Sequence, residues 1–283
     1  MNRPNFVLIN DSFVPREAAA LHVDDLSIQR GYGIFDFLKL VDGRPVFLDD
    51  HLARFEHSAA HMRLPIGKTR NQLKKVLREL AVRNDLPNSG VRLTLTGGSA
   101  ADGYSIASPN LVITQRLLAV NPKLSETGIR LATFDHQRQL PDVKTIDYLM
   151  AIWLQPFLAE RGADDVLYHH DTLVSECPRS NIFIVTRDGR LLTPEINVLK
   201  GVIRKHVLDL ARGQLTVDER DTRLDEFGDA RESFVTSTTK GVVPVMAIDG
   251  KPIGDGRLGE VTRWLQVAIA ERTHSAAVEW GQS

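Results

Sequence analysis

The stretch Leu140-Pro141-Asp142-Val143-Lys144-Thr145-Ile146-Asp147-Tyr148-Leu149 changes character at a single lysine. Up to Lys144 the chain reads as a short extended run. Beyond it Ile146, Leu149, Met150, Trp153, Leu154 and Phe157 recur at helical spacing. This predicts an apolar helix that opens at Lys144, buries one face and is kinked at its far end by Pro156. A lysine at a helix start is ordinarily a solvated side chain. The alternative is a Schiff-base lysine, whose amine is made nucleophilic by burial, by a neighbouring cation or by the positive end of a helix macrodipole. Helical spacing alone does not choose between them.

The rest of the chain mixes two periods without regular alternation. Residues 6–9 and 12–15 read as a hairpin turned at Asn10-Asp11. In residues 27–40, Gly31 and Gly33 bracket Tyr32 and open an alternating run that Asp42-Gly43 turns back. Asp49-Asp50 starts a helix with Leu52, Phe55, Ala59 and Met62 on one line and Arg54 off it; Thr69 caps a second with Leu73, Val76, Leu77 and Leu80. Val91, Leu93 and Leu95 alternate with polar residues as a half-buried strand, residues 96–104 form a flexible loop, and residues 111–114 form a further strand. Asn121-Pro122 breaks the pattern.

After that break, strands are expected near 129–133 and 165–169, a hairpin of 182–186 with 191–192, a helix over 202–210, a strand at 234–236 and a closing helix over 256–270 with a frayed tail after Thr273. This succession predicts two α/β or α+β domains, residues 1–118 and 119–283 with a linker at about 116–125, and an active site where they meet.

With 283 residues, 42% apolar and 25% charged, the chain can bury two modest cores. A formal net charge of -1 and a pI near 6.8 give no overall attraction to nucleic acid or anionic membrane, which favours small-molecule substrates. Cys177 is the one cysteine, so no intrachain disulfide is possible and a cytoplasmic location is expected. Neither a signal peptide nor a membrane-spanning stretch is read from the sequence, and no metal site is expected.

Lys144, then Thr172-Leu173-Val174-Ser175-Glu176 with Ser180-Asn181-Ile182-Phe183, then Asn197-Val198-Leu199-Lys200-Gly201-Val202, and finally Val235-Thr236-Ser237-Thr238-Thr239 occur in an order that resembles the class IV, or fold type IV, pyridoxal-phosphate enzymes. That family includes D-amino-acid aminotransferase, branched-chain aminotransferase and aminodeoxychorismate lyase. The resemblance spans nearly the whole chain, with Gly-Tyr-Gly-Ile-Phe-Asp at 31–36 as its N-terminal match. It implies a two-domain α+β fold, pyridoxal 5'-phosphate as cofactor, amino acids and 2-oxo acids as substrates, and a homodimer. Lys144 matches the catalytic lysine and Glu176 the acidic partner of the pyridine nitrogen. Arg54 matches an arginine that reaches the phosphate. The amides of Val202 and Ile203 and the turn of Ser237, Thr238 and Thr239 match its remaining donors, although Ile203 stands where many relatives have threonine. Leu199 matches the apolar support of the ring.

The substrate side departs from the resemblance. The commonest D-amino-acid aminotransferases clamp the substrate carboxylate with an arginine and a histidine where this chain has Asp102 and Tyr104, and a frequent tyrosine is here Phe35. Arg30 and Arg179, at places where many relatives are uncharged, are candidates for a replacement clamp. The short chain and the Val-Thr-Ser-Thr-Thr turn are nearer to the D-amino-acid branch. A branched-chain aminotransferase, an aminodeoxychorismate lyase and a non-catalytic cofactor carrier are the alternatives.

Overall fold

The structure, a computed structural model, describes residues 6–119, 121 and 123–280, without the side chains of 278–280. Pro122, half of the anticipated break, lies outside the described residues. The chain forms two compact units: Met1–Ala119 with Val143–Asp147 and Thr273–Ser283, and Val120–Asp142 with Tyr148–Arg272.

The first unit is built on an antiparallel sheet. Its strands are β1 (Phe6–Ile9), β2 (Ser12–Pro15), β3 (Gly33–Val41), β4 (Arg44–Pro45), β5 (Ser89–Thr96) and β6 (Leu111–Leu117), in the order β2-β1-β6-β5-β3-β4. The short α1 (Leu26–Arg30) precedes β3, while α2 (Leu48–His61) and α3 (Arg70–Asn84) separate β4 from β5. Thr69 caps α3 as expected, and Gln72 reciprocates to complete a capping box. The apolar lines of both helices, Leu52, Phe55 and Ala59 on α2 and Leu73, Leu77 and Leu80 on α3, join Leu8, Ile34, Leu38 and Leu93 in one core.

The alternation along β3 sorts function from structure. Ile34 and Leu38 enter that core, so Asp36 between them points the same way, and Phe35 points to the opposite face.

The second unit holds α4 (Leu124–Thr127), β7 (Ile129–Asp135), α5 (Leu149–Trp153), α6 (Gln155–Arg161), β8 (Asp165–His170), β9 (Leu173–Val174), β10 (Glu176–Cys177), β11 (Ser180–Val185), β12 (Leu191–Thr193), α7 (Val202–Ala211), β13 (Val217–Glu219), β14 (Thr222–Arg223), α8 (Leu224–Gly228), β15 (Glu232–Ser237), β16 (Gly241–Ile248), β17 (Lys251–Pro252) and the start of α9 (Glu260–Trp280). Its sheet runs β13-β12-β11-β15-β16-β7-β8-β9-β14, with β10 also on β11 and β17 on β16. The pairs β7–β8, β7–β16 and β12–β13 are parallel. Helix α9 continues to Trp280, well past the fraying anticipated after Thr273.

The region after Lys144 departs from its apolar period. Four residues separate Lys144 from the first residue of α5, which is only five residues long, and Leu154 ends it and begins α6. No helix macrodipole therefore acts at Lys144, and Pro156 sits in the first turn of α6, where its missing N–H is harmless, instead of kinking a far end. Leu154 is fully buried beside Val166 and Tyr168, with Met150 and Phe157 packed on that cluster, but Leu149 and Trp153 are 75% and 65% exposed. Of that face Met150, Leu154 and Phe157 are covered, while Leu149 and Trp153 are not.

Candidate active site

Lys144 is held against a strand edge. Beyond β4 the edge of β3 is taken up by Val143–Asp147: Phe35 N–H donates to the Lys144 carbonyl (2.9 Å), Ile146 N–H donates to the Gly33 carbonyl (3.0 Å), and Ile34 and Thr145 form an antiparallel bridge. Lys144 N–H donates to Ser58 Oγ on α2 (3.2 Å). Gly33 is needed at this edge, since a Cβ there would lie 2.9 Å from the Leu95 carbonyl oxygen and 3.2 Å from Ile146. The half-buried Lys144 then reaches over the buried Phe35 ring, with Nζ 4.7 Å from its centroid; the Arg92 guanidinium lies 3.8 Å from the same centroid.

Arg54 belongs to a buried ion network on the other face of β3. Its Nε and Nη2 donate to the two Asp36 oxygens (2.8 and 2.9 Å), and His51 Nδ1 donates to Asp36 as well (2.7 Å). Burial would raise the Asp36 pKa, but the charge of Arg54 and the hydrogen bonds from His51 and Arg54 hold the carboxyl well below the usual range. Burial lowers the His51 pKa and outweighs the pull of Asp36, so the ring is neutral at physiological pH.

In the second unit Glu176 is buried, and both its oxygens accept hydrogen bonds. Oε1 accepts from Arg138 Nη1 (2.8 Å); Oε2 accepts from Asn181 Nδ2 (3.2 Å) and from the Leu199 N–H (3.2 Å). Asn181 also donates to the Leu199 carbonyl (2.7 Å), which ties the approach to α7 to the Glu176 hairpin. Helix α7 has the extended Gly201 as N-cap and no side-chain cap, so the N–H groups of Val202 and Ile203 have no acceptor inside the helix. Leu199, Val202 and Ile203 are all buried. Ser237 ends β15, and Thr238 and Thr239 turn the chain into β16, with Lys240 N–H donating to Ser237 Oγ (3.3 Å).

The two arginines considered for a clamp lie in different units. Arg30 is exposed in the last turn of α1. Its position is set by Asp25, the N-cap of α1, which accepts from Ser27 N–H (2.8 Å), Thr96 Oγ1 (2.7 Å) and Asn110 Nδ2 (2.8 Å). The Arg179 side chain is 62% exposed, 3.7 Å from the buried Asp165 carboxylate.

The family described as amino-transferase class IV matches residues 33–248. The D-alanine aminotransferase of Staphylococcus haemolyticus is 30% identical over 268 residues, covering 92% of this chain and 95% of that one. The chain belongs to the class IV aminotransferases. Among solved structures, the branched-chain amino acid aminotransferase of Escherichia coli has a TM-score of 0.87 at 24% identity, covering 95% of this chain and 94% of that one. A second branched-chain amino acid aminotransferase, from T.th. and solved with pyridoxamine 5'-phosphate, has a TM-score of 0.88 at 23% identity, covering 99% and 98%. This class IV aminotransferase is a pyridoxal-phosphate-dependent transaminase with the fold type IV architecture.

The donor set of the chain fits that cofactor. A Cβ at Gly201 would lie 2.1 Å from Asn181 Oδ1, so glycine lets Asn181 pack against the entrance of α7, and a helix terminus without a side-chain cap suits a phosphate dianion. Several residues of this aminotransferase were not singled out from the sequence. Asp36 stood inside a quoted motif; its signal is an acid on the core-facing side of an apolar strand. Asn181 was likewise quoted without a role. Arg92 and Arg138 gave no signal, since nothing local distinguishes them from surface arginines.

Proposed function

We propose that this aminotransferase moves the amino group of a D-amino acid to a 2-oxo acid such as 2-oxoglutarate or pyruvate, and that it does so as a cytoplasmic homodimer. The supporting observation is the end-to-end likeness to a D-alanine aminotransferase at 30% identity.

Bound pyridoxal phosphate supplies an electron sink for the bond broken at the substrate α-carbon. Lys144 would hold the cofactor, and its amine would take and return the proton at the substrate α-carbon. The pairing of its backbone to β3 limits the motion of its amine to the side chain. Glu176 partners the pyridine nitrogen, with Arg138, Asn181 and the Leu199 amide holding the carboxylate in place. Leu199 supports the ring. Arg54, the amides of Val202 and Ile203, and Ser237, Thr238 and Thr239 take the phosphate; Asp36 sets the plane of the Arg54 fork.

Arg30 and Arg179, one of them reaching across a dimer interface, hold the substrate carboxylate in place of the pair replaced here by Asp102 and Tyr104. Phe35 forms the wall beside the reacting carbon. Arg92, stacked on that wall, adds a cation suited to the second carboxylate of a 2-oxoglutarate-like acceptor.

The test is the half-reaction: the holoenzyme is mixed separately with D-alanine, D-glutamate, L-leucine and L-glutamate while cofactor absorbance is followed. Conversion with the D-substrates alone is expected, and Arg30→Met and Arg179→Met should each raise the half-saturating concentration about tenfold or more. Conversion by L-leucine instead would replace this reading with branched-chain transamination; silence with all four and release of 4-aminobenzoate from aminodeoxychorismate would replace it with the lyase.

A further inference from the structure

The antiparallel register of β11 and β15 sets Asn181 opposite Thr236, and cross-strand partners project from the same face of a sheet. On that face the Asn181 side chain meets the residues leading into α7: it donates to the Leu199 carbonyl, and its Oδ1 lies 2.1 Å from where a Cβ of Gly201 would be. Helix α7 itself packs against β15. The Thr236 side chain is thus directed toward the uncapped N-terminus of a ten-residue helix.

Thr236 is 2% exposed, and its Oγ1 has no hydrogen-bond partner. This is out of character for the sheet it occupies. On the same strand Ser233 Oγ donates to the Phe183 carbonyl (2.9 Å), and on β12 Thr193 Oγ1 donates to the Ile182 carbonyl (2.7 Å). Among the described residues Thr273 Oγ1, on α9, is the other buried hydroxyl without a partner, whereas the His51 and His169 ring nitrogens can present a bare lone pair. A hydroxyl always has a proton to place, and leaving it unplaced away from water is unfavourable.

We infer that Thr236 is a further cofactor-binding residue whose hydroxyl donates to the phosphate of pyridoxal phosphate at the α7 terminus. The inference rests on the reading that this terminus and the turn of Ser237, Thr238 and Thr239 take the phosphate. The chemistry is matched: the three terminal oxygens of a phosphate dianion accept more hydrogen bonds than two helix amides supply, and a threonine hydroxyl is a donor for one of the rest. The orphaned hydroxyl is then a group that the protein alone leaves unsatisfied and the ligand completes.

The experiment compares wild type, Thr236→Val and Thr236→Ser as cofactor-depleted proteins, measuring equilibrium binding of pyridoxal phosphate and of pyridoxal, and the melting temperature without ligand. Valine has the shape of threonine without the hydroxyl. Thr236→Val should bind pyridoxal phosphate about ten- to a hundredfold more weakly, the range for a hydrogen bond to a charged group. Its affinity for pyridoxal should be unchanged, and its ligand-free melting temperature equal or higher, because an unsatisfied group has been removed. Thr236→Ser should restore most of the affinity.

Unchanged affinity for pyridoxal phosphate in Thr236→Val overturns the inference, as does equal weakening toward both ligands, which would place the hydroxyl on the ring. A lower ligand-free melting temperature in Thr236→Val also overturns it, since the hydroxyl would then have a partner in the protein. A wild-type chain that takes up no pyridoxal phosphate overturns the underlying reading of the phosphate site and this inference with it.

Discussion

Asp36 is 1% exposed and ionised, a position that only its partners make tolerable. Replacing it with asparagine keeps the volume but leaves the Arg54 guanidinium, its side chain 10% exposed, without a counter-charge. Stranding a buried charge costs about 3–5 kcal/mol, so Asp36→Asn should lose that much stability at pH 7. The sign of the pH dependence follows from the depressed pKa. The contribution of Asp36 is complete above the ordinary aspartate range and is lost as pH falls below about 4 toward the folded value. Urea unfolding of wild type and variant between pH 7 and pH 3 should therefore show a constant gap down to about pH 4 and a narrowing gap below it; a gap that stays constant throughout would assign the loss to packing. Residues of this kind mark the limit of sequence reading. The position of Arg54, off the apolar line of its helix, was legible. That Asp36, 18 residues earlier, holds it was not, because the pairing exists only once β3 and α2 are packed.

Helices and strands were the more legible level where local chemistry and packing agree. The alternation that sets Phe35 and Asp36 on opposite faces of β3 and the Thr69 cap both appear in the structure because each is decided within a few residues. The stretch after Lys144 departs from its apolar period because a 3.6-residue period says that a face exists and not what covers it. Lys144 itself is held by its bond to Phe35 and by the bond of the nearby Ile146 to Gly33, partners more than 100 residues away in sequence that no local period encodes. At the entrance to α7 the deciding feature is again a close approach. Gly201 has φ -67°, a value any residue adopts, so its requirement for glycine comes from Asn181 alone. Gly201→Ala should cost about 1–3 kcal/mol by overpacking, measured by urea unfolding. Gly228→Ala is the control: a Cβ there meets nothing within 4 Å, so its stability should be unchanged or slightly raised. Equal effects at both glycines would remove the close approach as the cause.

For the molecule as a whole, the uncovered apolar surface around α5 bears on assembly. Leu149, Ile152 and Trp153 are 75%, 63% and 65% exposed within five consecutive residues. Scattered exposed apolar side chains need no explanation, but three large ones on one short helix make a patch of the kind that ordinarily meets a partner. With a formal net charge of -1, long-range repulsion does little to oppose two copies meeting. A symmetric contact places the same patch on both sides, so a charge introduced there faces its own copy and is doubly unfavourable. Analytical ultracentrifugation of the native protein should give twice the 31.6 kDa of one chain. Ile152→Glu should shift the distribution toward a single chain at micromolar concentration, while Val82→Glu, at an isolated residue that is 76% exposed on α3, should not. A dimer untouched by Ile152→Glu would move the interface away from α5, and a native protein that sediments as one chain would end the dimer reading, including a clamp shared by Arg30 and Arg179 from two subunits.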